Sequence, residues 1–132
     1  MTPQLVSHYA VDHVFPKCAP ILAKALGTHT AWTMGELFTL CSNRGAWLFV
    51  DDLNQPKDAL VGRFETWGGK PVFHCIAMGG NGENWPDAMD TIADFASNFG
   101  VKAIAFGGRI GWQRVFKNAR VTSQTYLLEY ED

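Results

Sequence analysis

The chain has 132 residues, 47% of them hydrophobic and 13% aromatic, with five Trp, nine Phe and three Tyr; this excludes a disordered tail or a collagen-like repeat and predicts one compact folding unit over 1–132. Charged residues make up 18%, below the roughly 25% usual for soluble domains, which leaves surface to spare for a partner. A net charge of −2 gives no support to a nucleic-acid or anionic-membrane role.

The amino terminus lacks a basic cap followed by an apolar run, and no stretch approaches eighteen apolar residues, so neither a signal peptide nor a membrane span is expected. Cys18, Cys41 and Cys75 are odd in number and unpaired by any CxxC spacing, which argues against a disulfide framework and for a reducing compartment. His8, His13 and Cys18 make a conceivable three-ligand set, but their spacing matches no compact zinc motif. They read as scattered structural or surface residues, and no metal is expected.

In chain order, the alternation from Leu5 to Val11 suggests a strand. Cys18, Leu22 and Leu26 then recur at helical spacing, with Pro16 and Pro20 requiring that helix to start late or kink, and Gly27 suited to its left-handed end. Thr33 and Glu36 fit a capping box, and Met34, Leu37, Phe38 and Cys41 line one face of the helix it opens, up to Gly45. After Gly45 the period changes. AWLFV, ALVGRFETW and PVFHCIAM, separated by a polar turn and by Gly68–Gly69, predict an antiparallel meander. The glycines of MGGNGENWPDAM break the last strand and open a helix capped by Asn84. Its faces are Trp85, Met89, Ile92, Ala96 and Phe99 on one side and Asp87, Asp90 and Asp94 on the other, with Gly100 as its end. VKAIAF reads as a strand parallel to PVFHCIAM. GGRIGWQRVFKNA reads as a turn and helix, and RVTSQTYLLEYE as a final strand. The predicted class is α/β (α+β), with a mixed sheet and the order β-α-α-β-β-β-α-β-α-β.

That order resembles the GCN5-related N-acetyltransferase (GNAT) fold over nearly the whole chain. Arg109, Gly111, Trp112, Arg114, Val115, Leu128 and Glu129 are similar to the carboxy-terminal pattern of small phage-encoded GNAT-like proteins. Part of that group resembles the acetyltransferase-like internal virion proteins of T7-like phages. The resemblance implies a virion or host-cytoplasmic location. It also implies a cofactor gap, in which the strand before the glycine loop splays from the strand after the long helix and acetyl-CoA lies between them, its pyrophosphate on the amides that open the helix.

The matching loop here is Met78, Gly79, Gly80, Asn81, Gly82, Glu83 and Asn84. If acetyl-CoA binds, Met78, Gly79, Gly80, Asn81, Gly82 and Asn84 would hold it through a nest of amides; otherwise the loop is an ordinary strand-to-helix turn. The family's usual pattern of Gln or Arg, two residues, Gly, one residue, then Gly or Ala is absent, and only Gly80-Asn81-Gly82 keeps its small residues. Glu83 and Asp87 compete with a phosphate for the helix's partial positive charge, and no Lys or Arg occurs between Lys70 and Lys102. Weak acetyl-CoA binding, or none, is expected.

No catalytic residue is assigned. Many family members use a Tyr in the final helix as the acid that reprotonates the thiolate, whereas Arg109 to Ala119 contains none; Tyr126 and Tyr130 lie on the last strand. Glu65 and His74 are conceivable bases from their strand positions, with His74 also readable as a hydrogen-bonded core residue. Cys75 reads as core rather than nucleophile. Arg109, Arg114, Lys117 and Arg120 place four positive charges in twelve residues around Trp112. They form either a solvated basic face or, with Arg109, Trp112, Arg114 and Lys117 as contacts, a protein interface.

Two roles follow. One is a GNAT-like protein with eroded catalytic features that serves as a structural or interaction component of a virion or other assembly, with assembly proteins or itself as partner, no nucleic acid and no cofactor. The other is a small N-acetyltransferase using acetyl-CoA on an amine or protein amino group.

Overall fold

A computed structural model describes residues 3–26, 32–80 and 85–106. Strand β1 is Gln4–Val6, and a single 3-10 turn at His8–Ala10 leads directly into helix α1, Val11–Leu26. The expected strand to Val11 is thus corrected. Val11, Val14, Phe15, Cys18 and Leu22 are buried at helical spacing, so Val11 belongs to the helical stripe rather than to the strand alternation.

The helix also starts early rather than late, with Pro16 and Pro20 inside it. Both prolines are exposed and four residues apart, which puts them on the solvent face of α1. The carbonyls of Asp12 and Pro16, which lose their amide partners there, can turn to water. The expected helix end at Gly27 lies outside the described residues.

Helix α2, Met34–Ser42, begins as its sequence predicts. The Thr33 hydroxyl accepts from the Glu36 amide at 3.1 Å, and the Thr33 amide donates to Glu36 Oε1 at 3.1 Å. Replacing such a cap typically costs about 1 kcal/mol. Leu37 and Cys41 are fully buried, with Met34 and Phe38 packed beside them.

Strands β2 (Trp47–Val50), β3 (Ala59–Trp67) and β4 (Lys70–Gly79) form the predicted meander. The β3–β4 hairpin turns on Gly68 and Gly69, whose φ angles of 57° and 81° are the left-handed pair that a two-residue hairpin needs. Helix α3, Trp85–Ser97, crosses to β5, Ile104–Phe106, which pairs parallel to β4. Asp87, Asp90 and Asp94 are exposed, while Met89, Ile92 and Ala96 are buried. Gly100, at φ 77°, ends the helical segment, and the Val101 amide reaches back to the Ala96 carbonyl at 3.2 Å, the longer bond of a Schellman closure.

The sheet order is β1-β2-β3-β4-β5, antiparallel except for β4–β5. Alternation along the strands divides the core between two faces. Val6, Leu48, Val50, Ala59, Val61 and Ala77 meet α1 and α2, whereas Phe49, Leu60, Phe73 and Cys75 meet α3. One irregularity interrupts this pattern: Gly62 pairs with Cys75 but Val61 with Ala77, so Ile76 is an extra residue on β4. Such an insertion bends the strand and re-aims its neighbours. The predicted final helix and last strand lie outside the described residues.

Candidate active site

The two-residue turn at Gly68–Gly69 sets the register that builds the polar centre of the sheet. Arg63 on β3 faces His74 on β4, and Glu65 faces Val72. Odd-numbered Arg63 and Glu65 therefore share one face of the hairpin with His74, opposite Phe64, Phe73 and Cys75, which pack toward α3. This is the α1–α2 face. Glu65 Oε2 accepts from Arg63 Nε at 2.6 Å and from His74 Nδ1 at 3.0 Å, while Oε1 accepts from Trp67 Nε1 at 2.8 Å. The Arg63 guanidinium also lies 4.7 Å over the ring of Trp32, a cation–π contact that ties the sheet to the entrance of α2. The Trp67 ring stands edge-on to His74 at 5.2 Å, so the imidazole is held from two sides.

Partial burial alone would push the Glu65 carboxyl up. The hydrogen bonds from Trp67, Arg63 and His74, with the charge of His74 added, outweigh it and hold the group at about 2. Glu65 is therefore ionised at any physiological pH and can only accept.

Because its pKa is depressed in the folded state, Glu65 contributes stability that is fully present above the ordinary carboxyl pKa near 4.5 and is lost as pH falls from there toward 2. After discounting for solvent screening around a partly exposed carboxylate, that contribution is about 1–2 kcal/mol. Thermal melting between pH 6 and about pH 2.5 should show a fall in stability that Glu65→Gln reduces. Parallel curves for the two proteins would show that the network adds nothing.

The three cysteines are poor nucleophiles. Burial pushes the Cys75 and Cys41 thiols up to about 12, with Cys18 adding to the shift of Cys41. Burial, then the charge of Asp51, pushes Cys18 to about 11. Cys18 thus belongs to the α1–α2 core, and His8 Nδ1 lies 3.0 Å from the Cys41 carbonyl. Among the described residues no group of three His, Cys, Asp or Glu side chains is placed to hold a metal.

Of the candidate cofactor residues, Met78, Gly79 and Gly80 are described; Asn81, Gly82 and Asn84 lie outside the described residues, as do Arg109, Trp112, Arg114 and Lys117. Gly79 is pinned against α1, since a Cβ there would meet the Ile21 carbonyl oxygen at 2.6 Å. Gly80, at φ 112°, passes over Asp58, whose carboxylate oxygen would lie 2.1 Å from a Cβ. The chain therefore leaves β4 in a conformation that only glycine tolerates well.

The β4–β5 ladder, as described, covers Phe73 to Cys75 against Ile104 to Phe106, and β4 continues to Gly79. His74 pairs with Ala105 in the middle of this described ladder, one residue before the irregularity that begins at Cys75. A shallow concavity beside α2, lined by Trp32, Thr33, Gly35, Glu36, Thr39 and Leu40, shares only Trp32 with the polar group. It holds no comparable chemistry.

The sequence reasoning named Glu65 and His74 separately, and the structure brings them into one hydrogen bond. It missed Arg63, Trp67 and Trp32 as the groups that fix them. The hairpin register would have found the first two: counting back from Gly68–Gly69 puts Arg63 opposite His74, with Glu65 on the adjacent diagonal.

No family model matches the sequence, and no curated protein does. Solved structures match its shape. A probable acetyltransferase superposes with a TM-score of 0.68 at 10% identity, with 100% of each chain covered. A ribosomal-protein-alanine N-acetyltransferase from Brucella melitensis biovar Abortus 2308 gives 0.64 at 12% identity over 98% of each chain. A predicted acetyltransferase with acetyl-CoA from Clostridium acetobutylicum gives 0.64 at 12% identity, covering 98% of this chain and 95% of the other. With a five-stranded mixed sheet, three helices and a parallel β4–β5 pair among its described residues, the chain has the fold of the GNAT acetyltransferases.

Proposed function

We propose that the protein is a small N-acetyltransferase that moves an acetyl group from acetyl-CoA to an amine or a protein amino group. One observation carries the reading: a parallel β4–β5 pair lies beside an irregularity in β4 and a glycine-led exit from that strand, with an ionised, buttressed Glu65–His74 pair on the α1–α2 face. A shared fold supports the reaction class only in part, because one fold hosts many chemistries.

The residues present fit acetyl-CoA. β4 runs on through its irregularity to Gly79, and strand peptide groups suit the amides of an extended pantetheine arm, much as a strand edge accepts a peptide. Gly80 opens the turn toward α3 without a side chain in the way. Acetyl-CoA supplies an acyl carbon activated as a thioester. This chain's part is to align that carbon beside the strand irregularity, to shield it beneath α1 and α2, and to present a proton acceptor to the incoming nitrogen.

Asp87, exposed in the first turn of α3, opposes a phosphate there, so affinity is modest. Calorimetry with acetyl-CoA should show saturable binding with a dissociation constant on the order of 10 µM or weaker, and Asp87→Asn should tighten it by about several-fold. Absence of binding up to millimolar acetyl-CoA would overturn the reading. The other role, a catalytically eroded component of a virion or other assembly, draws on scarce charge and on the basic cluster at Arg109 to Arg120; nothing among the described residues favours it over the enzyme.

A further inference from the structure

We infer that His74 is the base that takes the proton from the acceptor nitrogen, with Glu65 as the residue that sets its tautomer, and that the acceptor approaches from the α1–α2 side of the hairpin. This deepens the acetyltransferase reading and rests on it.

One hydrogen bond fixes where the proton sits on the ring. Glu65 is held ionised by three donors and has no proton to give. The 3.0 Å contact between Oε2 and His74 Nδ1 therefore places a proton on Nδ1 in either charge state of the ring. Whenever His74 is neutral, its lone pair must then be on Nε2. Among the described residues Nε2 has no hydrogen-bond partner, and the side chain is 25% exposed. A neutral imidazole with its distal nitrogen unprotonated, oriented by a carboxylate behind it, is poised to accept a proton.

The surroundings favour function over simple packing. The ionisable groups brought to His74 are Glu65 directly and Arg63 through the same Oε2. Arg63 is in turn braced on Trp32, and Trp67 both donates to Glu65 and borders the ring. Four side chains thus fix one imidazole whose Nε2 meets no partner among the described residues. A core histidine needs its partners to satisfy buried nitrogens; this arrangement satisfies only one.

The reaction balances as follows. An acceptor arriving as an ammonium loses one proton to Nε2, and its freed lone pair attacks the thioester carbon. The C–N bond forms and the C–S bond breaks, with the electron pair leaving on sulfur. A second proton leaves nitrogen as the amide is completed. One proton finally resides on the thiol and one passes to solvent, so that His74 is again neutral. Glu65 stays ionised throughout; it is a positioning residue, and His74 is the catalytic one.

Two measurements test this. Nitrogen-15 spectra of histidine-labelled protein, with no substrate present, should show neutral His74 protonated at Nδ1 alone, and Glu65→Gln should give mixed tautomers, because an amide can either accept from Nδ1 or donate to it. A neutral wild-type ring protonated at Nε2 would overturn the inference without any assay.

Kinetically, thiol release from acetyl-CoA is followed with 1,4-diaminobutane and with a short peptide bearing a free α-amino group. His74→Gln should lower kcat by about 100-fold while circular dichroism and acetyl-CoA affinity stay as in the wild type. A His74→Gln protein that binds acetyl-CoA and transfers within about threefold of wild type would overturn the base assignment and leave the acetyltransferase reading standing. Wild-type protein that binds acetyl-CoA but acetylates neither amine would likewise overturn the assignment, and wild-type protein that fails to bind acetyl-CoA would overturn both.

Discussion

Gly62→Ala is expected to destabilise the protein by about 2 kcal/mol, far more than an alanine in a strand interior would suggest, because the added methyl has nowhere to go. A Cβ at residue 62 would stand 2.4 Å from two ring carbons of Phe73. Although a ring tip is usually able to yield, this one is not: Phe73 is fully buried and meets Phe49, Phe64 and Phe95 at centroid distances of 6.5, 5.0 and 5.7 Å. Interiors are packed densely enough that one methyl is felt. The same contact makes the effect separable from strand propensity. In a Phe73→Leu background the cost of Gly62→Ala should fall by about half or more, since the two positions share one space. Denaturant melts of the four proteins in this cycle decide it. Additive losses would place the cost of Gly62→Ala in the backbone instead of against the ring.

This pairing shows why some of the fold was legible in the sequence and some was not. The elements that obey one local rule were readable: Thr33 and Glu36 announce a cap, Gly68–Gly69 announces a hairpin, and the Met89–Ile92–Ala96 stripe announces α3. Parallel pairing of β4 with β5 followed from chain connectivity, because a helix between adjacent strands reverses direction twice. The start of α1 was not readable. Local rules told against a helix with two internal prolines, and only burial of Val11, Val14 and Phe15 against the sheet outweighs that penalty.

The extra residue at Ile76 was equally hidden, since PVFHCIAM is a continuous apolar run in which no position advertises a change of face. Of the site, Glu65 and His74 stood out as polar residues in apolar strands. Their contact is a register property, and its support from Trp32 is a tertiary one between the entrance of α2 and the middle of β3. Sequence proximity reports neither.

The turn at the end of β4 couples stability to the candidate cofactor site, and Gly80→Ala is expected to have a larger effect than Gly62→Ala. Residue 80 sits at φ 112°, beyond the left-handed region that Asn or Asp tolerates, and an L side chain there costs about 1–3 kcal/mol by itself. Steric conflict adds to it. A Cβ would lie 2.6 Å from the Lys57 carbonyl oxygen and 2.8 Å from Asp58 Cα, as well as against the Asp58 carboxylate. The carboxylate is a side chain that could rotate, but Asp58 is 3% exposed, and the other two atoms are backbone of the segment that leads into β3.

The chain can relieve the conflict only by moving the exit from β4, so we expect about 3 kcal/mol or more of destabilisation, a drop in Tm of roughly 10 °C. Truncating Asp58 to Ala in the same protein should recover little of it, because the backbone contacts remain. A variant kept folded below its lowered Tm should also bind acetyl-CoA at least about tenfold more weakly, because the strand end and the helix entrance are aligned by this one residue. Full recovery by Asp58→Ala would assign the close approach to a side chain alone, and undiminished acetyl-CoA binding by a stable Gly80→Ala protein would show that the turn does not shape the cofactor site.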